Sequence, residues 1–341
     1  MKKIVSISAL IIIGSVTYCQ VIKGTIFDSE TKTTIPYAAI YFTGTLVGTA
    51  SDQDGIFELD ITKYASKPLT IRAMGYEPFT LKAIPADEQY TIYLIPSSFE
   101  IEEVSVSTKS LVRRRQAHLR LFRREFLGTT GNERECKILN ENDITFNYGS
   151  DKDTVKAYAS KPIVVYNGAL GYVITYYLDE FEYDKDRHVV TFTGDIVFNE
   201  DLAIKDRNNQ SYSKKRELAY YGSCMHFFRA LWANNLKATG FVIIHSSNNQ
   251  LTDSYKYATG ADKFIKYKDI VIQDNKNNQY LMYSDNLQIF YMAQSSNMIF
   301  LKSKVLFEQN GFFEPSAIRW EGDMAEQRVA DMLPYEYLSE K

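Results

Sequence analysis

Thiols and imidazoles are scarce in this chain: 341 residues carry three Cys and four His. A structural zinc site wants four clustered nitrogen or sulfur ligands, and Cys136 and Cys224 stand too far apart in sequence to begin one. The histidines lead His118-Leu-Arg-Leu, His188-Val-Val-Thr, His226-Phe-Phe-Arg and His245-Ser-Ser-Asn. None has Glu at the spacing of a His-x-x-Glu or His-Glu-x-x-His zinc motif, which excludes the peptidase chemistry those motifs build. A Gly-x-Ser-x-Gly elbow is missing too, because Tyr221-Gly222-Ser223-Cys224 lacks the trailing glycine. There is no P-loop and no Gly-x-Gly-x-x-Gly, so no cofactor is expected. A net charge of −3 gives no global basic field, and no nucleic-acid partner is expected.

Long apolar runs are confined to one place. Met1-Lys2-Lys3 is a positive start, and Ile4 to Val16 is apolar but short of the ~20 residues a membrane span needs. With Ser15-Val16-Thr17-Tyr18-Cys19-Gln20 after it, residues 1–19 read as a signal peptide. Cys19 permits a lipoprotein reading, although Tyr18 stands where lipoprotein signals want a small residue. The expectation is an exported protein, in the periplasm or associated with the outer membrane. If Cys19 leaves with the signal, Cys136 and Cys224 remain in an oxidising compartment, where either a disulfide or two separate buried thiols is open.

What the chain does have is aromatic weight, 14% with 25 Tyr. Tyr and Phe favour half-buried pleated surfaces, which leans towards β-structure; a Tyr-rich contact surface is the functional alternative. Between Val21 and Thr108 short strands alternate with turns and carry no helix signal, the pattern of a small β-sandwich. Asp52-Gln53-Asp54-Gly55 reads as the tip of a β-hairpin. After it Phe57, Leu59 and Ile61 fall on one face and Ile56, Glu58 and Asp60 on the other. Asp52 and Asp54 lack the further ligands of a calcium loop, so they read as turn formers.

Gly24-x-Ile26-x-Asp28, Pro36-x-Ala38-x-Ile40, Gly44-Thr45, Gly48-Thr49, Asp52-x-Asp54-Gly55-x-Phe57 and Gly75-Tyr76 together resemble the carboxypeptidase regulatory-like domain. Glu100-Ile-Glu-Glu-Val-x-Val106 resembles its closing strand. The resemblance implies a transthyretin-like sandwich over residues 20–108, of the kind found at the N-terminus of exported Bacteroidetes proteins, including TonB-dependent receptors. It implies an accessory module and no activity of its own.

Residues 109–130 read as a basic helical linker. Leu111, Leu119, Phe122 and Phe126 form an apolar stripe, and Arg113, Arg114, Arg115, Arg120, Arg123 and Arg124 crowd the rest. Such a helix meets an anionic membrane face or an acidic partner, or else it docks on the following domain. Residues 131–341 read as an α+β domain of unknown function. Asn167-Gly168 marks a hairpin, Ser213 to Asn234 a long helix with Gly222 inside it, and Gly322 to Leu333 a short one. Phe126-Leu-Gly128, Cys136-x-Ile138-Leu139-Asn140, Asn167-x-x-Leu170-Gly171-Tyr172-x-Ile174-x-Tyr176 and Tyr221-Gly222-Ser223-x-x-His226-Phe227-x-Arg229 resemble a Bacteroidetes family of carboxypeptidase-like regulatory domain-containing proteins, which supplies no activity.

Candidate binding residues follow from spacing. Ser223, His226 and Arg229 are neighbours at helical intervals, so His226 could bond Ser223 and Arg229 could hold an anion; satisfied core roles are the alternative. Asn167, Tyr172 and Tyr176 could line a polar-aromatic groove, although turn and core roles suffice for them. Carboxylates such as Asp179, Glu180 and Glu182 are plentiful, but a glycosidase pair is defined in space. The expected role is non-catalytic: an envelope accessory or binding protein docked on an outer-membrane protein or its assembly or transport machinery. A glycan-binding module and an envelope hydrolase acting through the C-terminal domain are the alternatives.

Overall fold

The structure, a computed structural model, describes residues 20–65, 67–82, 84–85, 89–97, 109–147, 153–200, 209–245 and 264–339. The expected signal peptide and the closing strand at 101–106 lie outside the described residues. Two compact units emerge, one of residues 1–42 and 48–99, the other of residues 43–47 and 100–341.

The first unit is built from β1 (Val21–Asp28), β2 (Ala39–Tyr41), β3 (Gly48–Ala50), β4 (Ile56–Asp60), β5 (Leu69–Arg72), β6 (Phe79–Leu81) and β7 (Gln89–Leu94). They form two sheets, β4-β1-β7 and β3-β2-β5-β6. β1 pairs antiparallel with β4 and parallel with β7. Period-two alternation sends Ile22, Ile26, Ile40, Phe57, Leu59, Leu69, Ile71, Ile92 and Leu94 into the interior. This is the expected β-sandwich.

The turn at Asp52–Gly55 is correctly placed, but it does not close a hairpin. β3 pairs with β2 in one sheet and β4 with β1 in the other, so the chain arches from sheet to sheet. The reason lies in the residues at the bend. The Asp52 carboxylate accepts the N–H groups of Asp54 and Ile56, each at 2.9 Å. The Ile26 N–H donates to the Gly55 carbonyl. Gly55 has φ +76°, and a Cβ there would lie 2.9 Å from the Ile26 carbonyl oxygen. The Ser51 hydroxyl donates to Ile35 O and accepts from Ala38 N–H, which ties the incoming strand to the other sheet.

The second unit opens with α1 (Lys109–Leu127), then β8 (Cys136–Ile138), β9 (Ile144–Phe146), β10 (Thr154–Ala159), β11 (Ile163–Asn167), β12 (Tyr172–Asp184) and β13 (Val189–Asn199). β12 is the spine of a six-stranded sheet. Its first half pairs with β11, its distal end pairs with β10, and β13 runs along it throughout. α1 is no free linker: Phe122, Phe126 and Leu127 are buried in one core with Tyr172, Ile174, Tyr176 and Phe181 of β12. Thr43–Val47 also belongs to this unit. Gly44 N–H donates to Ile196 O on β13, and Thr45 bridges Val197.

The expected long helix is two helices, α2 (Asn209–Tyr220) and α3 (Cys224–Trp232). Gly222 takes φ +82° between them, a left-handed bend no helix interior contains. Ser223 then caps α3, its hydroxyl accepting the His226 N–H at 3.1 Å. β14 (Phe241–His245), α4 (Tyr267–Ile270), β15 (Val271–Gln273), β16 (Gln279–Leu281), β17 (Leu287–Tyr291), β18 (Gln294–Phe300), β19 (Val305–Phe307), β20 (Ile318–Gly322) and α5 (Asp323–Glu326) complete the unit. The helix expected over 322–333 is only the four residues of α5. A second core gathers Phe227, Phe228 and Leu231 of α3 with Ile289, Met298 and Phe307. Among the described residues no helix is long and apolar enough to cross a membrane.

Candidate binding groove in the C-terminal unit

Most residues singled out by spacing are committed to structure. The His226 imidazole is buried, and its Nδ1 accepts the Gly222 N–H at 3.2 Å. Burial, then the charge of Arg229, lowers its pKa to about 4, so it is a neutral acceptor. Arg229 spends its guanidinium on three carbonyls, Asn310 O at 2.9 Å, Tyr337 O at 2.7 Å and Tyr335 O at 3.1 Å. Ser223, His226 and Arg229 therefore assemble a helix start and a latch for the C-terminal segment.

Asn167 is fully buried at the β11–β12 turn. Its side chain donates to Ala330 O and accepts the Leu170 N–H. Tyr176 packs edge-on against Phe126 in the first core, and burial raises its pKa. Cys136 and Cys224 are free thiols rather than a bridge. Cys136 packs against the first core and Cys224 against the second, so the fold holds them in separate places. The Cys136 thiol also donates to Asn132 O. Burial is the main cause that pushes both thiols up to about 12, with Asp331 adding to it at Cys136.

Tyr172 is the exception, because it lies in the wall of a groove of about 720 Å³ within this unit. Its neighbours there include Glu200, Arg216, Glu217, Glu336 and Tyr337. The Arg216 guanidinium sits 4.0 Å over the Tyr172 ring. Arg216 Nε donates to Leu170 O at 2.8 Å and Nη1 to Glu200 Oε1 at 2.9 Å. The Leu46 N–H donates to Glu336 Oε1 at 3.0 Å. Burial raises the Tyr172 pKa; Arg216 opposes this, while Glu200, Tyr337 and Glu336 add to it. Arg216 Nη2 and Glu336 Oε2 are buried without a hydrogen-bond partner among the described residues. Exposed Lys214 completes one rim. The groove thus offers carboxylate acceptors beside guanidinium, ammonium and phenol donors over an aromatic base, a set suited to recognising a polar ligand.

Apart from Tyr172, sequence reasoning missed these residues. α2 brings Lys214, Arg216 and Glu217, the end of β13 brings Glu200, and the C-terminal segment brings Glu336 and Tyr337. The run Lys214-Lys215-Arg216-Glu217 was a visible charge cluster, but only pairing in space joins it to Tyr172.

Comparison with known families and structures adds a name for the first unit. The CarboxypepD_reg-like domain family matches residues 22–106, so the N-terminal β domain is CarboxypepD_reg-like. No curated protein matches the chain. One solved structure, a candidate carbohydrate-binding protein from Bacteroides uniformis, shares 12% identity at a TM-score of 0.19, covering 46% of this chain and 59% of that one. Another, a 9R-lipoxygenase from Cyanothece, shares 10% at a TM-score of 0.16, covering 67% of this chain and 50% of its own. The chain thus spans between half and three-fifths of the length of these structures, and at such scores neither likeness bears on fold or function.

Proposed function

We propose that this chain is a non-catalytic binding protein exported to the cell envelope, in the periplasm or at the periplasmic face of the outer membrane. One observation carries the reading: the groove pairs Glu200 with Arg216 over Tyr172, and sets Glu336 and Lys214 beside them. Fixed donors and acceptors of both charge signs over an aromatic wall suit recognition of a polar ligand. The proposed partner is an outer-membrane protein or its assembly or transport machinery, contributing a segment with both charge signs. The CarboxypepD_reg-like module supports an accessory role, and β4, at a sheet edge with Ile56 exposed, offers a strand-addition contact. Capture from solubilised native envelopes should enrich an outer-membrane protein, and Lys214→Glu with Glu336→Gln should lose it. Recovery of no such protein, or equal recovery by the variant, refutes the reading.

The same groove favours one second reading, an envelope glycan. Sugar hydroxyls donate to carboxylates and accept from arginine and lysine, and Tyr337 supplies an aromatic wall. A panel of envelope oligosaccharides tested by calorimetry separates the two ligand classes; no heat from any of them removes this one.

A further inference from the structure

The outward face of α1 carries charge that the fold does not use. The helix holds Lys109 and six arginines against the single acid Glu125. Its inward face is occupied by Phe122, Phe126 and Leu127 in the core. Helical geometry places Arg113, Ala117, Arg120 and Arg124 in one straight stripe on the opposite side, spanning about 16 Å. All four residues are exposed.

Neighbouring groups take up only part of the charge on this helix. Arg123 makes a two-point pair with Glu141. Arg124 pairs with Glu125, which is shared with Arg328 at 2.6 Å. Arg115 donates to the carbonyls of Ile144 and Glu141. Among the described residues Arg113 and Arg120 make no ion pair and no hydrogen bond. Between Arg120 and Arg123 lies a hollow of about 220 Å³, with Leu119 and Gln116 as its other walls.

We infer that this arginine stripe is a docking surface for an anionic membrane, with lipid phosphate headgroups seated at Arg113 and at Arg120 beside its hollow. Guanidinium geometry matches phosphate oxygens two at a time, which lysine would not do. Two unneutralised arginines seven positions apart call for a surface of several anions rather than one free ion. The apolar stripe of α1 is already spent on the core, so attachment is by charge alone, without insertion, and is sensitive to salt.

The test is flotation of the full chain with vesicles of phosphatidylcholine alone and of phosphatidylcholine mixed with phosphatidylglycerol. Wild type should partition onto the mixed vesicles and leave them as salt is raised. Arg113→Gln with Arg120→Gln should weaken that partitioning about 30-fold, from the usual contribution of one arginine near an anionic surface, taken twice. Both side chains are exposed and unpaired, so the variant's thermal melt should match wild type, and a lowered melt is answered by repeating the assay with the single Arg120→Gln, expected to weaken partitioning about 5-fold. Equal binding to both vesicle types, or equal binding by the variant, overturns the inference. Binding to soluble polyphosphate without binding to the mixed vesicles overturns it in favour of an acidic polymer, and displacement by inorganic phosphate at an ionic strength where chloride does not displace the protein overturns it in favour of a single-anion seat.

Discussion

Replacing Gly222 by Ala separates two readings of the same residues by sign. In a helix running unbroken from Ser213 to Asn234, the substitution would add stability of about 1 kcal/mol, the ordinary difference between Gly and Ala in a helix interior. The structure demands the opposite. Gly222 sits at φ +82°, where an L side chain costs roughly 1–2 kcal/mol. A Cβ there would overlap Gln294 Oε1 and stand 2.9 Å from Tyr291 Cδ1. Gln294 can swing its amide aside. Tyr291 cannot move as readily, being 7% exposed, with its ring centroid 4.8 Å from that of Phe241 and 5.3 Å from that of His226. Overpacking of that kind adds about 1 kcal/mol. The expected loss for Gly222→Ala is therefore about 2–3 kcal/mol, read as a lower urea midpoint at unchanged slope. On heating it corresponds to a fall of roughly 5–10 °C. A variant as stable as wild type, or more so, would refute the two-helix geometry and with it the cap at Ser223.

Three further outcomes test the same region and the two thiols. His226 is held neutral at about 4 against an ordinary 6.5, so the unfolded chain binds the extra proton between these values. Stability is full above pH 6.5, falls by about 3 kcal/mol as pH drops to about 4, and levels off below; His226→Asn should flatten that slope in urea titrations. Arg229→Met strands three carbonyls and should cost about 3 kcal/mol, with faster proteolysis of the C-terminal segment as the second readout. Both thiols should resist alkylation at mildly alkaline pH in the folded protein and react fully in urea. A native mass short of two hydrogens would reveal a bridge and contradict the separate packing of Cys136 and Cys224.

The N-terminal sandwich was legible in sequence because its information is local. Period-two burial and turn chemistry at Asp52–Gly55 write the strands residue by residue. What remained hidden was which sheet each strand joins: β3 and β4 flank one turn yet pair in different sheets, and nothing in Gly44–Leu59 encodes that except the reach of Ser51 and Gly55 to distant carbonyls and amides. The same limit governs the C-terminal unit. Gly222 looked like a weak spot in an amphipathic pattern because Leu218, Tyr221, Met225 and Phe228 keep helical spacing across it, and periodicity does not register a single reversed φ.

Most of the candidate residues take the core and turn roles that were the alternative reading, and Tyr172 lines the groove. Spacing finds groups that share one element, and here the fold spends them on its own framework: Ser223 caps its own helix, His226 accepts the Gly222 N–H of the same bend, and Arg229 holds the C-terminal segment. A binding groove needs side chains that different elements leave over. Here Tyr172 comes from β12, Glu200 from the end of β13, Arg216 from α2 and Glu336 from the C-terminal segment, brought together by long-range pairing. Tyr172 alone was visible, because it stands in the aromatic strand that follows the Asn167-Gly168 turn; its partners were ordinary surface charges until the fold turned them inward. The arginines of α1 make the complementary case. Their pattern was legible from the outset, and the structure supplied what the pattern lacked, namely which of them the fold consumes and which, Arg113 and Arg120, it leaves unspent.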